Sequence, residues 1–396
     1  MDKKLHFEGY IRSCLRRHLE KRQIVEGYSK EFYEHLLTRI FDISSKTILI
    51  LLHAFKKENM LQGSTPEERY TYFDRCSASD EFHELVNKMY PLLTVRLDKI
   101  LDNHVVNYNS LKDRIKKDRA EIRHILGIDV GCIEDCHIEY GVSDVHRDAK
   151  TVCIIEKDKK KIVYKPRSGR TDACWASFID WFNSKNPSLR LESNKILDKE
   201  EYCWQEYMVN ESCLSEEEIK RLYHRIGMLS AAAYVFKAED LHMENIIVSG
   251  EYPYIVDLEA IFQTDGFQNP NAVVKSATDI LNRSIRQSVM GTQLFPTPSK
   301  FYDSTVDISG ITGRGGQMIK NGCLETINQF TDNVHVTRAD GKTEDKCNIG
   351  LIENIKVEPR DYVMEINEGF REGYTLLCNN RDELLKLIDA GKLFDE

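Results

Sequence analysis

The segment FKAEDLHMENIIVSGEYPYIVDLEAIF, Phe236 to Phe262, decides how the chain is read. Within it, Asp240 to Asn245 hold an Asp, a His and an Asn just before the β-branched run IIV. Gly250 then permits a turn, the run YPYIV follows, and Asp257 closes it. Two short β-rich runs about a glycine read as a hairpin. Asp and Asn at such a junction also serve simply to cap a helix and turn the chain. The loop by itself leaves both roles open.

Upstream, SEEEIKRLYHRIGMLSAAAYVF (215–236) has helical periodicity and opens with a capping box of Ser215 and Glu218. Before it, YCWQEYMV (202–209) reads as a strand and TDACWASFIDWFNSKN (171–186) as an amphipathic helix. TVCIIEK and KKIVYKPR, joined by the polar turn Asp158–Lys159, read as another hairpin. Residues 1 to 127 carry helical spacing throughout, notably in 29–60 and 80–126. GSTPEERY (63–70) marks a helix start there, with Ser64 or Thr65 as cap and Pro66 in the first position. Residues 258 to about 350 read as loop-rich, with GITGRGGQ the densest glycine cluster, and 361–394 as helical again.

The order is therefore hairpin with a lysine, helix, strand, long helix, polar loop, hairpin, aspartate. That is the running order of a protein-kinase-like core, and the fold expected is α+β and two-lobed, with a helical N-terminal region. The expected divisions are 1–127 for the helical region, 128–214 for the N-lobe and 215–396 for the C-lobe. In such a core a strand lysine meets ATP phosphates, a loop Asp accepts the hydroxyl proton, and an Asn and a later Asp hold magnesium. Lys165 ends IVYK, Asp240 and Asn245 are five apart, and Asp257 follows twelve residues later. The chemistry needs these types, because hard oxygen donors suit magnesium and cations stabilise the charge spread over phosphate oxygens.

Three features depart from the ordinary kinase pattern. No G-x-G-x-x-G precedes the first hairpin; GVSDVHRDAK stands there, with Asp144 and His146. These two read either as polar replacements near the phosphates or as a plain turn. The helix after Lys165 has no Glu to pair with it, only Asp172 and Asp180, and Glu206 reads as a strand-edge residue. His242 occupies a loop position where ordinary kinases carry no His.

Composition narrows the alternatives. A net charge of -9 and a pI near 5.8 argue against a nucleic-acid surface as the main function. Only nine prolines make long Pro-rich linkers unexpected. The apolar run TILILLHAF (47–55) is too short to cross a bilayer. Met1 to Gly27 has no signal-peptide pattern, so a cytoplasmic protein with its eleven cysteines reduced is expected. CIEDCH (132–137) lacks the Cys-x2-Cys spacing and second ligand pair of a structural zinc site.

Nine segments in order complete the reading: LQGSTPEERYTYF, GVSDVHRD, IVYKPRS, YCWQEYM, DLHMENIIV, VDLEAIF, SVMGTQLFP, VDISGITGRGGQ and INEGFREGYTLL. Together they resemble the dehydratase domain of class II lanthipeptide synthetases (LanM type), from about residue 50 to 380, which implies that the core is protein/lipid-kinase-like with added helical elements. The resemblance implies phosphorylation of Ser and Thr in a ribosomal precursor peptide with ATP and magnesium, followed by elimination of the phosphate. It implies an ATP-contacting role for Lys165, the catalytic role for Asp240, and completion of the site by His242, Asn245 and Asp257. It places Asp144 and His146 in another active-site motif, and Arg167 and Glu259 in segments around the cofactor. It also makes the helical N-terminal region a candidate peptide-docking scaffold.

Elimination in that family uses an Arg and a Thr in a segment resembling R-x-x-R-P-T, soon after the GYTLL helix. The chain ends at AGKLFDE, near where that segment would begin, and Arg371 and Arg381 stand in no such motif. No cyclase-type Cys and His set is present either. The kinase half of the reaction is therefore expected, with a separate chain supplying elimination or cyclisation, or a non-catalytic peptide-binding scaffold, as the alternatives.

Overall fold

Thr65, rather than Ser64, caps the helix predicted at GSTPEERY. Its hydroxyl accepts the Glu68 N–H at 3.2 Å, while the Glu68 carboxylate accepts the N–H groups of Thr65 and Ser64 at 3.3 and 2.6 Å. Pro66 takes the first helical position, where its missing N–H costs nothing. The computed structural model in which these contacts are seen describes residues 5–24, 28–143, 145, 147–262, 276–296, 306–312 and 315–389. The chain is α+β and divides into two units, 1–166 with 321–339 and 167–320 with 340–396.

The first unit opens with helices α1 (Glu8–Lys21), α2 (Lys30–Lys57), α3 (Pro66–Cys76), α4 (Asp80–Met89) and α5 (Pro91–Leu126). α5 stops at Gly127, whose φ of 71° is the left-handed C-cap conformation. Strands β1 (His137–Tyr140), β2 (Cys153–Lys157) and β3 (Lys160–Lys165) then form an antiparallel sheet. Asp158 and Lys159 have φ of 51° and 63°, as a two-residue type I′ turn requires. That turn sets the register. Ile155 faces Ile162 and Ile138, Cys153 faces Tyr164, and all five are buried on one face. Among the described residues, no helix is long and apolar enough to cross a membrane.

The second unit holds α6 (Arg170–Ser184), the antiparallel pair β4 (Ile196–Asp198) and β5 (Cys203–Glu206), and α7 (Glu216–Val235). β6 (Ile246–Ser249) and β7 (Tyr252–Ile255) form the hairpin predicted after the polar loop, turning at Gly250 with φ 55°. α8 (Ala277–Arg286), β8 (Met318–Ile327), β9 (His335–Lys342), β10 (Leu351–Ile352), β11 (Ile355–Lys356), α9 (Val363–Asn379) and α10 (Arg381–Asp389) follow. Ser215 caps α7 by accepting the Glu218 N–H, but the Glu218 carboxylate accepts from Leu214, one residue before the position expected for a capping box. The core joins Trp175, Phe178 and Phe182 of α6 to Leu222, Ile226 and Leu229 of α7, with Leu241 and Leu258 flanking the hairpin. Arg225, itself buried, lies under the Tyr252 ring and donates to Glu251, tying the hairpin to α7.

α7 and α9 meet at backbone contact. A Cβ on Gly369 would lie 1.9 Å from the carbonyl oxygen of His224, and one on Gly227 would lie 2.2 Å from that of Ile366. Glycine is required at both positions by space rather than by torsion.

The stretch read as loop-rich contains the ten-residue β8 and its partner β9. Nearly every residue of β8 is exposed or half-exposed, so no buried face imprinted an apolar alternation on its sequence. The hairpin's outer part, 321–339, belongs to the first unit. There Asp332 is fully buried, with Arg69 Nε at 2.6 Å and Lys56 Nζ at 3.3 Å. Its backbone N–H donates to the Pro66 carbonyl at 3.0 Å. The two cations hold the carboxyl below its usual range despite the burial that opposes this. Asp332→Ala is expected to cost about 2 kcal/mol, the order of lost charge-assisted hydrogen bonds. A urea denaturation midpoint checks it, and an unchanged midpoint would show that the latch carries no stability.

Candidate functional site

Asp240 sits where α7 has ended and β6 has not begun, and its φ is 63°. For an L-residue this left-handed conformation is unfavourable, and Asp and Asn tolerate it best. Backbone hydrogen bonds hold the loop from three sides. Glu239 N–H donates to Ala260 O, Leu241 N–H to Thr292 O, and Met243 N–H to Ile308 O. The Asn245 side-chain amide donates to the Asp240 carbonyl at 2.8 Å, closing the loop across its five residues. The Asn245 carbonyl accepts from Val256, which joins the loop to the residue before Asp257.

His242 is oriented by its neighbours. Its Nδ1 accepts the Glu244 N–H at 3.1 Å, so the neutral ring carries its proton on Nε2. Nε2 lies 3.5 Å from Asp240 Oδ1. Burial raises the Asp240 carboxyl above the usual range; His242 works against this, and the negative charges of Asp257 and Glu244 add to it. A half-exposed carboxylate facing other acids is a place where a cation or a proton is stabilised.

A second cluster gathers round Arg167. Its Nη1 donates to Asp172 at 3.0 Å, its Nη2 to Asp257 Oδ1 at 2.9 Å, and its Nε pairs with Glu259. Burial opposes the guanidinium charge, but the three carboxylates outweigh it and raise its pKa. Asp257 Oδ1 also accepts the Glu259 N–H at 3.2 Å. One Asp257 oxygen is thus engaged by protein donors, and the Asn245 amide nitrogen is committed to Asp240. The other Asp257 oxygen and the side-chain amide oxygen of Asn245 are hard donors of the kind magnesium takes. Among the described residues, no group of three or more His, Cys, Asp or Glu side chains is arranged to hold a metal by itself.

Lys165 ends β3 in the first unit and is buried, at 5% exposure. Asp144 and His146 lie outside the described residues. The second unit thus brings Asp240, His242 and Asn245 into one loop, and Arg167, Asp257 and Glu259 into one charged cluster. Asp172, noted only as an acid on the helix after Lys165, is the buried partner of Arg167.

The residues that sequence reasoning missed are those that brace the loop. Gln317 clamps Asp307 by accepting its N–H and donating to its carbonyl, both at 2.7 Å. Asp307 accepts from the Ser309 N–H and the Thr312 hydroxyl. Gly310 leaves room that a Cβ would lose, at 2.3 Å from the Leu241 carbonyl. Asn348, 1% exposed, donates to the Gly310 carbonyl at 2.6 Å. The polar, glycine-bearing run VDISGITGRGGQ was the available signal for all but Asn348.

A family model described as a domain of unknown function (DUF4135) matches residues 90–395. The chain is also 29% identical over 368 residues to the "Lacticin 481/lactococcin biosynthesis protein LcnDR2" of Lactococcus lactis subsp. lactis. The match covers 88% of this chain and 38% of that protein, so the chain spans well under half the relative's length.

Proposed function

The chain belongs to the family described as a domain of unknown function (DUF4135), and from that premise we propose that it phosphorylates Ser and Thr side chains of a ribosomally made precursor peptide, using ATP and magnesium. The reading makes it the kinase half of a lanthipeptide-type dehydration, built on a protein/lipid-kinase-like core. The observation that carries it is the braced loop, in which Asp240 is held in the left-handed conformation with Asn245 bonded to its carbonyl and His242 Nε2 facing its carboxylate.

Asp240 takes the proton of the attacking hydroxyl, or orients that hydroxyl, from a carboxylate that binds protons more readily than an ordinary Asp. His242 holds a proton donor against the same carboxylate and so limits its rotation. Asn245 and Asp257 would hold magnesium through their remaining oxygens, and Lys165 would meet the phosphates. Arg167 positions Asp257 and Glu259 through its ion pairs. When bound, magnesium-ATP supplies the phosphoryl group and spreads its charge.

The test is to incubate the chain with magnesium, ATP and a Ser/Thr-containing lanthipeptide precursor, and weigh the peptide. A gain of one phosphate per site is expected. Net loss of water would instead show a full dehydratase, and an unchanged mass would leave a binding scaffold.

A further inference from the structure

The run TEDKCN, Thr343 to Asn348, lies along the Asp240 loop and its braces in the second unit. Its residues take hold of the site in turn. The Thr343 carbonyl accepts the Gly316 N–H at 2.8 Å, and the Thr343 N–H donates to the Gln317 carbonyl at 3.0 Å. The Asp345 carboxylate accepts the Gly315 N–H at 2.8 Å. Lys346 Nζ meets Glu244 Oε1 at 2.8 Å. The Cys347 carbonyl accepts the Val248 N–H at 2.9 Å, and the buried Asn348 amide donates to the Gly310 carbonyl. Just beyond, a Cβ on Gly350 would lie 2.7 Å from Leu222 Cδ2 of α7, and the Leu351 carbonyl accepts the Cys213 N–H at 2.7 Å. The run is thus fixed at both ends.

Of these contacts, the Lys346 pair alone reaches into DLHMEN itself. Glu244 is the residue whose backbone N–H donates to His242 Nδ1 at 3.1 Å. That bond leaves the His242 proton on Nε2, 3.5 Å from Asp240 Oδ1. The Glu244 side chain is 56% exposed, so nothing but a tether keeps it from swinging into solvent and turning its main chain with it. An ion pair between two flexible surface side chains is ordinarily worth little, because both must be ordered to form it. Here the lysine springs from a backbone already pinned at Thr343 and Cys347, so much of that ordering is complete before the pair forms.

We infer that Lys346 is a positioning residue: by holding the Glu244 carboxylate it keeps the Glu244 N–H on His242 Nδ1, and so keeps the His242 Nε2 proton facing Asp240. As a role in the rate it rests on the phosphoryl-transfer reading; as a role in the setting of the His242 ring it does not.

Two measurements on the full chain test it. The first is nitrogen NMR of the histidine-labelled protein in mildly alkaline buffer, with His242 assigned by its loss in His242→Asn. The wild-type ring should be protonated on Nε2, Lys346→Met should shift it toward the Nδ1-protonated form, and Lys346→Arg should restore the wild-type signal. An unchanged His242 signal in Lys346→Met overturns the inference whether or not the chain transfers phosphate. The second is kinetic. Lys346→Met keeps the side-chain length and removes the charge, and is expected to lower kcat for peptide phosphorylation about five- to tenfold, because displacing a catalytic group by part of an ångström loses orientation. KM for ATP and peptide and the thermal melt should stay in place, and Lys346→Arg should keep most of the rate. Adding Glu244→Gln to Lys346→Met should cost nothing more, since both remove one tether. An equal kcat in wild type and Lys346→Met, or a change in KM alone, overturns the role in the rate. No transfer by the wild-type chain would instead remove the phosphoryl-transfer reading, and the histidine signal would then decide the role of Lys346 by itself.

Discussion

Replacing Asp240 by Asn is expected to reduce phosphate transfer to a precursor peptide by roughly 10²–10⁴-fold, the usual contribution of a positioned general base. The fold should survive. Asn is the residue that best replaces Asp at a φ of 63°. The carbonyl that accepts from Asn245 is unaltered, and the Asp240 side chain is exposed by about half. The neighbouring His242 keeps its Nδ1 bond to Glu244. Measured rates should therefore collapse while the thermal melt stays in place. The pH profile carries a second expectation. Because burial and nearby acids raise the Asp240 carboxyl, activity should fall on the acid side at a higher pH than an ordinary Asp would give. A rate within a few-fold of wild type would remove Asp240 from the reaction.

Gly369→Ala is expected to produce the largest loss of stability from a single methyl group, about 3 kcal/mol. Its new Cβ would sit 1.9 Å from the His224 carbonyl oxygen and 2.8 Å from the carbonyl carbon. Both are backbone atoms of α7, so no side-chain rotation relieves the clash. α9 must move off α7, and the burial of Ile366 and Leu377 goes with it. Asn367→Ala, exposed on the same helix, should change stability by no more than about 0.5 kcal/mol. Urea midpoints of the two variants give the comparison. Equal midpoints would mean that α7 and α9 do not cross at backbone contact. Because α7 leads into the Asp240 loop, the glycine variant should also lose activity.

The parts of the fold that were legible in advance are those specified by local chemistry. Thr65, Pro66 and Glu68 announce a helix start within four residues, and the Asp158–Lys159 turn between two β-branched runs announces its hairpin. The β6–β7 hairpin declared itself through Gly250 in the same way. β8 and β9 did not, because a strand with little buried surface has no reason to alternate apolar and polar residues. In the site, the spacing from Asp240 to Asn245 was visible since one loop contains both. The Arg167 cluster was not, because Asp172 lies five residues away and Asp257 ninety, and only folding joins them. The braces from Ala260, Thr292 and Ile308 act through backbone carbonyls, which carry no residue identity to read. The close crossing of α7 and α9 was not legible either, because Gly227 and Gly369 lie on separate helices that only folding brings together.

The most direct measurement of the central claim is transfer of labelled phosphate from ATP, carrying the label on its γ-phosphate, to a precursor peptide, quenched at early times and compared between the wild-type chain and Asp240→Asn. Label is expected on peptide Ser or Thr with the wild-type chain and almost none with the variant. No label at any time with the wild-type chain, or equal labelling by both, would contradict it.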